Sequence, residues 1–159
     1  MRKAYDRVEW SYLKAIMLKL GFHRLWVDRI MRLVSTISFS ILFNGDRQES
    51  FMPSRGSRQG DPISPYLFLL AAEGLSCLIK SRNQSSVLKG IKVAPSAPMV
   101  SHLLFADDSL LFFKADRENA QEILDVLNIY CQASPQQVNM DKSSIHFVKG
   151  CDMVYGKRS

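Results

Sequence analysis

Two adjacent aspartates, Asp107 and Asp108, interrupt an apolar stretch of the chain, and this feature most constrains how the sequence can fold. The residues on either side, 103–106 and 109–113, are almost all apolar, which favours two strands that meet at the acids. Two ionised carboxylates so close together repel each other, and a cation that neutralises the pair relieves this repulsion. Clustered carboxylate oxygens suit Mg²⁺. A polar hairpin turn without any site is the alternative, since aspartate is common in turns.

Composition indicates one globular domain. The chain has 159 residues, of which 47% are hydrophobic and 23% charged, enough to bury a core and unlike a disordered chain. Its longest uncharged stretches, such as 33–45, fall short of the ~18 apolar residues of a membrane span, so no membrane partner is expected. No apolar segment follows the first three residues, which argues against a signal peptide. The three cysteines, at 77, 131 and 151, are too widely spaced to predict a zinc site or a disulfide framework.

The positive charge is unevenly distributed along the chain. Residues 1–60 hold 11 Lys and Arg against 5 Asp and Glu, whereas the remaining residues hold 10 of each. A basic surplus in one region is expected where that region faces a polyanion. Solvated helix faces explain it equally well, because Lys14, Lys19, Arg29 and Arg32 recur at helical spacings.

The first 52 residues predict two helices and a hairpin. Asp6 is expected to cap a first helix that ends near Gly21. A second helix, from about 25 to 34, is expected to bury four side chains: Trp26, Ile30, Leu33 and Val34. Asn44-Gly45 is the dipeptide favoured in type I′ turns, and it predicts a hairpin between 39–43 and 48–52.

The rest of the chain alternates strands with long helices. Helices are predicted at 62–80 and 117–132, and strands at 100–105, 110–113 and 145–148, with a possible short strand near Ile91. This order predicts an α+β fold, a small antiparallel sheet with helices packed on one face. Residues 1–150 are expected to form the domain and 151–159 a C-terminal tail.

A glycine-punctuated polar loop at 53–61 is the second candidate for chemistry. Gly56 and Gly60 allow the backbone to approach a ligand closely. The guanidinium of Arg58 can bind a phosphate through two N–H groups, and the amide of Gln59 can donate or accept a hydrogen bond. The N-terminus of the following helix favours an anion there. Glycine-rich loops before helices usually only turn the chain, so the loop alone predicts little.

Four segments, taken in order, resemble the motifs of reverse transcriptases. Arg58-Gln-Gly-Asp-Pro-Ile-Ser-Pro-Tyr-Leu-Phe68 is similar to their RQGxPLSPxLF signature, and Phe105-Ala-Asp-Asp108 to their F/Y-A-D-D box. Lys3-Ala-Tyr-Asp-Arg-Val8 looks like the end of their D-x-x-x-A-Y/F-D segment, and Ala133 to Ser143 is similar to A-S-G-L/Q-x-I-N-x-x-K-S. The resemblance is strongest to the LINE-type non-LTR retrotransposons of plants, and it implies a reverse transcriptase palm-like subdomain.

The resemblance also implies roles for individual residues. Asp107 and Asp108 would hold two catalytic Mg²⁺ or Mn²⁺ ions, and Lys142 would stand near the pyrophosphate as a general acid. The nucleotide-binding residues would be Tyr5, Arg58, Gln59 and Gly60, with Tyr5 beneath the sugar and Gln59 and Gly60 on the nucleotide or the template. For these residues other than the aspartates, a plain structural role is an equal alternative. The implied partners are an RNA template, a DNA primer and deoxynucleotides, in a nuclear or cytoplasmic location.

Two departures from the family pattern qualify these roles. The first aspartate of D-x-x-x-A-Y/F, a metal ligand, would fall one position before Met1, and Pro135 stands where the family usually has a glycine that can adopt positive φ. The resemblance also implies a parent polyprotein with fingers and a thumb, which we expect to be missing from this chain. We therefore expect a palm fragment of an RNA-directed DNA polymerase that is inactive alone. The alternatives are a non-catalytic nucleic-acid-binding remnant of a retrotransposon and an unselected translation product.

Overall fold

The computed structural model describes residues 5–57 and 60–147 and the backbone of residues 154–157. The chain divides into two compact units, an N-terminal unit, Tyr5–Ala71, and a C-terminal unit that starts at Ala72. Within the described residues, no helix has both the length and the apolar character needed to cross a membrane.

The N-terminal unit begins with a short 3-10 helix, Tyr5–Arg7, followed by α1, Trp10–Lys19. Glu9 occupies the N-cap position of α1, and its side chain makes no capping hydrogen bond. The prediction that Asp6 caps this helix is therefore wrong. The 3-10 turn leaves Asp6 four positions ahead of α1, too far for its carboxylate to reach the first free backbone N–H groups of that helix.

Helix α2, Arg24–Ser35, buries a narrower stripe than its sequence suggests. Ile30 and Val34 are buried as predicted, together with Val27. Trp26 and Leu33 are 50% and 60% exposed, so their predicted burial is wrong. The three buried residues recur at spacings of three and four and already fill the inner face, which leaves Trp26 and Leu33 on its flank.

The predicted hairpin is present with short strands, β1 at Leu42–Phe43 and β2 at Asp46–Arg47, which pair antiparallel. Asn44 and Gly45 have φ of 49° and 88°, the positive values at both central residues that a type I′ turn requires. The ladder is extended by an isolated bridge between Phe39 and Phe51. Most of the apolar side chains of this hairpin are exposed: Phe39, Ile41, Leu42, Phe43, Phe51 and Met52.

The long helix α3, Ser64–Gln84, continues from the N-terminal unit into the C-terminal unit. The C-terminal unit then adds β3, β4, α4, β5 and β6, at His102–Phe105, Asp108–Phe112, Arg117–Ala133, Ser143–His146 and Val154–Lys157. A single 3-10 turn, Met140–Lys142, precedes β5. The four strands form one antiparallel sheet in the order β3-β4-β6-β5.

The two faces of this sheet differ in exposure. Leu111 and Phe113 are buried, whereas Leu103 and Leu110, which pair across β3 and β4 on the opposite face, are exposed. The buried core of the unit includes Leu75 and Ile79 of α3 and a row of α4 residues: Ile123, Val126, Leu127 and Tyr130. Helices therefore cover one face of a small antiparallel sheet, and the predicted α+β fold is confirmed.

Strand β6 has no counterpart among the elements predicted from the sequence. It lies between β4 and β5, with Gly156 opposite both Leu110 and Ser144. The division into a domain at 1–150 and a tail at 151–159 stays a prediction.

Candidate active site

The β3–β4 hairpin carries the two aspartates. Phe105 pairs with Asp108, so Ala106 and Asp107 form a two-residue turn. Ala106 has a φ of 48°, a value that glycine usually supplies at the first central position of a tight hairpin turn. A non-glycine residue held there is strained, and such strain persists only where the surrounding structure imposes it. The ladder on both sides of the turn imposes it here and fixes both carboxylates at the hairpin tip.

The donor set of the tip suits a hard divalent cation but is incomplete. Asp108 is partly buried at the start of β4, while Asp107 is exposed in the turn. Among the residues that the structure describes, no group of three or more His, Cys, Asp or Glu side chains is placed to hold a metal. Mg²⁺ commonly binds through one or two carboxylates and takes its remaining ligands from substrate phosphates and water. The two carboxylates therefore fit Mg²⁺ if substrate phosphates and water supply its remaining ligands.

Lys142 lies in the same unit as the aspartates. It ends the 3-10 turn Met140–Lys142, its side chain is exposed, and β5 starts at the next residue. In the sheet, Leu110 and Ser144 lie in one row through Gly156. Strands β4 and β5 both run antiparallel to β6 and hence parallel to each other, and Asp108 and Lys142 each precede that row by two residues, so they lie towards the same end of the sheet.

The turn before Lys142 contains Pro135, with a φ of 26°. The ring favours a φ near −65°, so the backbone there is strained where glycine would not be.

Tyr5 is half-buried in the N-terminal unit, where its ring stacks on that of Phe68 with centroids 4.7 Å apart. Its carbonyl oxygen accepts a hydrogen bond of 3.2 Å from the N–H of Ser57. The segment that carries Tyr5 is thus joined to the residues immediately before the Arg58-Gln59-Gly60 sequence.

Gly56 makes this junction possible. Its N–H donates to the carbonyl of Val8 at 2.8 Å, and its own carbonyl accepts from the indole N–H of Trp10 at 2.8 Å. A Cβ at this residue would lie 2.9 Å from the carbonyl oxygen of Asp6, and its φ of 86° also favours glycine. The close approach expected for Gly56 is therefore to the chain's own backbone.

Gly60 is exposed, with a φ of 87° and open space where a Cβ would stand. Arg58 and Gln59 lie outside the described residues. After this loop, Asp61 accepts a hydrogen bond from the N–H of Ile63 at 3.1 Å through its carboxylate, and α3 begins at Ser64. Tyr5 and Gly60 therefore belong to the N-terminal unit, and Asp107, Asp108 and Lys142 to the C-terminal unit.

One polar residue of the hairpin is not among the candidate site residues predicted from the sequence. His102, the first residue of β3, contacts the hydroxyls of Ser76 and Ser101 through its two ring nitrogens, each at 2.9 Å. Burial lowers the pKa of His102, the nearby Lys80 lowers it further, and Glu73 opposes both. The feature of the sequence that could have indicated this residue is a histidine inside an otherwise apolar strand.

Comparison with known families matches residues 1–154 to the model described as "Reverse transcriptase (RNA-dependent DNA polymerase)". An uncharacterised mitochondrial protein of Arabidopsis thaliana is 51% identical over 73 residues, which are 45% of this chain and 60% of that protein. The transposon TX1 uncharacterised 149 kDa protein of Xenopus laevis is 32% identical over 146 residues, 89% of this chain and 10% of that protein. The Drosophila melanogaster Pol polyprotein from the type-2 retrotransposable element R2DM is 28% identical over 148 residues, 93% and 13% of the two chains. The chain thus spans less than two thirds of each relative.

Proposed function

Since this chain belongs to the reverse transcriptase family, we propose that residues 1–150 form part of the palm of an RNA-directed DNA polymerase from a non-LTR retrotransposon. Its reaction is nucleotidyl transfer to a DNA primer on an RNA template. The observation that carries the proposal is the β3–β4 hairpin, which presents Asp107 and Asp108 at the position of the family's F/Y-A-D-D box.

Asp107 and Asp108 hold the divalent cations of the reaction in this proposal, two Mg²⁺ or Mn²⁺ ions. When bound, such a pair supplies the activation of the primer 3′-hydroxyl and the neutralisation of charge on the leaving pyrophosphate. Lys142, at the same end of the sheet, donates a proton to that pyrophosphate. Its exposed side chain and its place just before β5 leave the ammonium group accessible to a substrate.

Tyr5, Arg58, Gln59 and Gly60 bind the incoming deoxynucleotide and the template base beside it. Tyr5 lies beneath the sugar and excludes a 2′-hydroxyl, and its stacking on Phe68 supports this role because a ring packed on one face cannot swing aside. Gly60 offers open backbone for close approach, and Arg58 offers a bidentate fork for phosphate.

We expect no polymerisation by a polypeptide limited to these 159 residues. The family pattern that ends in Lys3-Ala4-Tyr5 contains a further metal-binding aspartate, which falls one position before Met1. Asp107 and Asp108 alone do not fix two ions in the geometry that aligns hydroxyl, phosphorus and leaving group. Fingers and thumb are needed as well to hold the primer.

Primer extension by three polypeptides tests this proposal. The first is the 159-residue chain, the second adds an N-terminal strand that ends in aspartate, and the third also supplies fingers and thumb. Only the third should extend an RNA-templated primer, and Asp107→Asn in it should reduce extension to background. Extension by the first, abolished by Asp107→Asn, would contradict the missing-ligand account. Extension by the third that survives Asp107→Asn would contradict the proposed role of the hairpin.

A second candidate function, nucleic-acid binding without turnover, is favoured by the location of the charge. The surplus of basic residues lies entirely in residues 1–60, separate from the carboxylates of the hairpin. A chain with an inactive hairpin would keep these basic residues and bind nucleic acid through phosphate contacts.

A further inference from the structure

A polar contact joins α3 to the catalytic hairpin within the C-terminal unit. The hydroxyl of Ser76 on α3 lies 2.9 Å from Nε2 of His102, and the hydroxyl of Ser101 lies 2.9 Å from Nδ1. Ser76 and Ser101 are only 4% and 8% exposed. On α3 the neighbours of Ser76 in the core, Leu75 and Ile79, are fully buried. The contact is therefore a polar connection between α3 and β3 beside apolar core side chains.

Directional contacts and apolar packing constrain an interface differently. Apolar side chains pack without a strong orientational preference, so a helix can slide or rotate a little on a sheet at small cost. A neutral imidazole donates from one nitrogen and accepts at the other, so both serine hydroxyls must stand at fixed positions around its ring. Because the two serines are buried, a displaced hydroxyl would leave a buried polar atom unsatisfied.

The hairpin transmits this constraint to the carboxylates. His102 pairs with Leu111, and the ladder continues through two more pairs to Phe105 and Asp108. The three residues from His102 to Phe105 span about 10 Å of strand, and the strained turn at Ala106 follows directly. The carbonyl of Ser101 also accepts from the N–H of Phe112 at 2.8 Å, which ties this end of β3 to β4.

We infer that His102 is a positioning residue, which with Ser76 and Ser101 fixes α3 on β3 and so holds the Asp107–Asp108 turn in its metal-binding position. This inference rests on the proposed function, because the position of the turn matters to catalysis only if the turn binds the metal. His102 itself contacts neither substrate nor metal. Loss of a group hydrogen-bonded directly to a metal ligand commonly lowers metal affinity 10- to 100-fold, so loss of the more distant support from His102 should have an effect at the lower end of that range.

The test measures Mn²⁺ affinity and backbone amide resonances on the 159-residue chain. His102→Leu removes both polar contacts, and Ser76→Ala removes one while the ring stays. The matched control is His146→Leu, because His146 also contacts a serine hydroxyl, that of Ser144 at 3.0 Å, at an exposed position on β5. We expect His102→Leu to weaken Mn²⁺ binding roughly tenfold and Ser76→Ala to weaken it less. Both should shift the amide resonances of residues 106–108, and the control should do neither.

The outcomes separate this inference from the proposed function. If His102→Leu and Ser76→Ala lower the unfolding temperature but leave Mn²⁺ affinity and the resonances of 106–108 unchanged, His102 is only a structural residue and the inference is overturned. If His102→Leu does not fold, Ser76→Ala decides by the same two measurements. If Asp107→Asn with Asp108→Asn leaves Mn²⁺ affinity unchanged, the proposed metal site fails. The resonances then decide whether His102 still positions the turn.

Discussion

Asp107 and Asp108 are neighbours in the chain but have different surroundings. Asp108 starts β4 and is partly buried, while Asp107 is exposed in the turn after the strained Ala106. Both could be predicted from the sequence as candidate site residues, because two acids between apolar strands conflict with ordinary core design. The support from His102 could not be assigned, because its partner Ser76 is 26 residues away and only the fold brings the two together.

Divalent cations should stabilise the fold through these two aspartates. A ligand that binds only the folded state adds about 1.4 kcal/mol to the free energy of unfolding at roughly ten times its Kd. Thermal melts with and without millimolar Mg²⁺ or Mn²⁺ should show this rise. Asp107→Asn combined with Asp108→Asn should remove it, and an equal shift in both proteins would rule out binding at the hairpin.

The pKa of His102 predicts a pH-dependent stability. Burial lowers this pKa below 6.5, with Lys80 acting in the same direction and Glu73 in the opposite one. The unfolded chain therefore takes up a proton before the folded one as the pH falls. The contribution of His102 to the free energy of unfolding should be fully present above pH 6.5. It should be lost as the pH decreases from there towards the pKa of the folded state. Unfolding free energies measured across this window should decline in the wild type, and the His102→Gln variant should lack this component. Identical pH profiles would contradict the direction of the shift.

Helices and turns could be predicted from the sequence where residues close together in the chain determine them. The Asn44-Gly45 turn was predictable because both residues readily adopt positive φ, and α2 and α4 were predictable from their periodicity. Strand β6 was missed because its pairing with β4 joins distant parts of the chain, which no local pattern reports. Asp6 was wrongly predicted to cap α1 because a 3-10 turn separates Asp6 from that helix.

The start of α4 depends on a buried asparagine. Asn119 is 4% exposed, accepts from the N–H of Lys89 at 2.9 Å and donates to the carboxylate of Asp116 at 2.8 Å. Asn119→Leu would leave the Lys89 N–H unsatisfied, at a cost of about 1–3 kcal/mol. Chemical denaturation should show this loss. Asn128→Leu, an exposed site on the same helix, should change stability by less than about 0.5 kcal/mol, and equal losses would show that Asn119 has no special role.

At the scale of the whole molecule, positive charge is concentrated in the first part of the chain. The net charge of +6 equals the surplus in residues 1–60, and the remaining residues balance. A basic surplus suits a protein that contacts a polyanion, and an acidic hairpin suits one that binds divalent cations.

Nucleic-acid binding should therefore depend steeply on salt. Four phosphate contacts would reduce the affinity for an RNA–DNA duplex roughly 100-fold between about 50 and 200 mM salt. Titrations at both ionic strengths measure this slope. Arg29→Ala with Arg32→Ala should flatten it, whereas Lys89→Ala with Lys92→Ala, in the balanced region, should not. Affinity that is independent of salt would contradict an electrostatic contact.

The close approach of Gly56 to Asp6 has a consequence for related genomic copies of this sequence. Every other residue is excluded at this position twice, by a Cβ contact of 2.9 Å with backbone and by a φ of 86°. Copies whose product must fold should keep the glycine codon under purifying selection. Copies that decay without selection should replace it as often as any codon around it. The substitution rate at this one codon, compared with that of the codons around it, would separate maintained copies from relics.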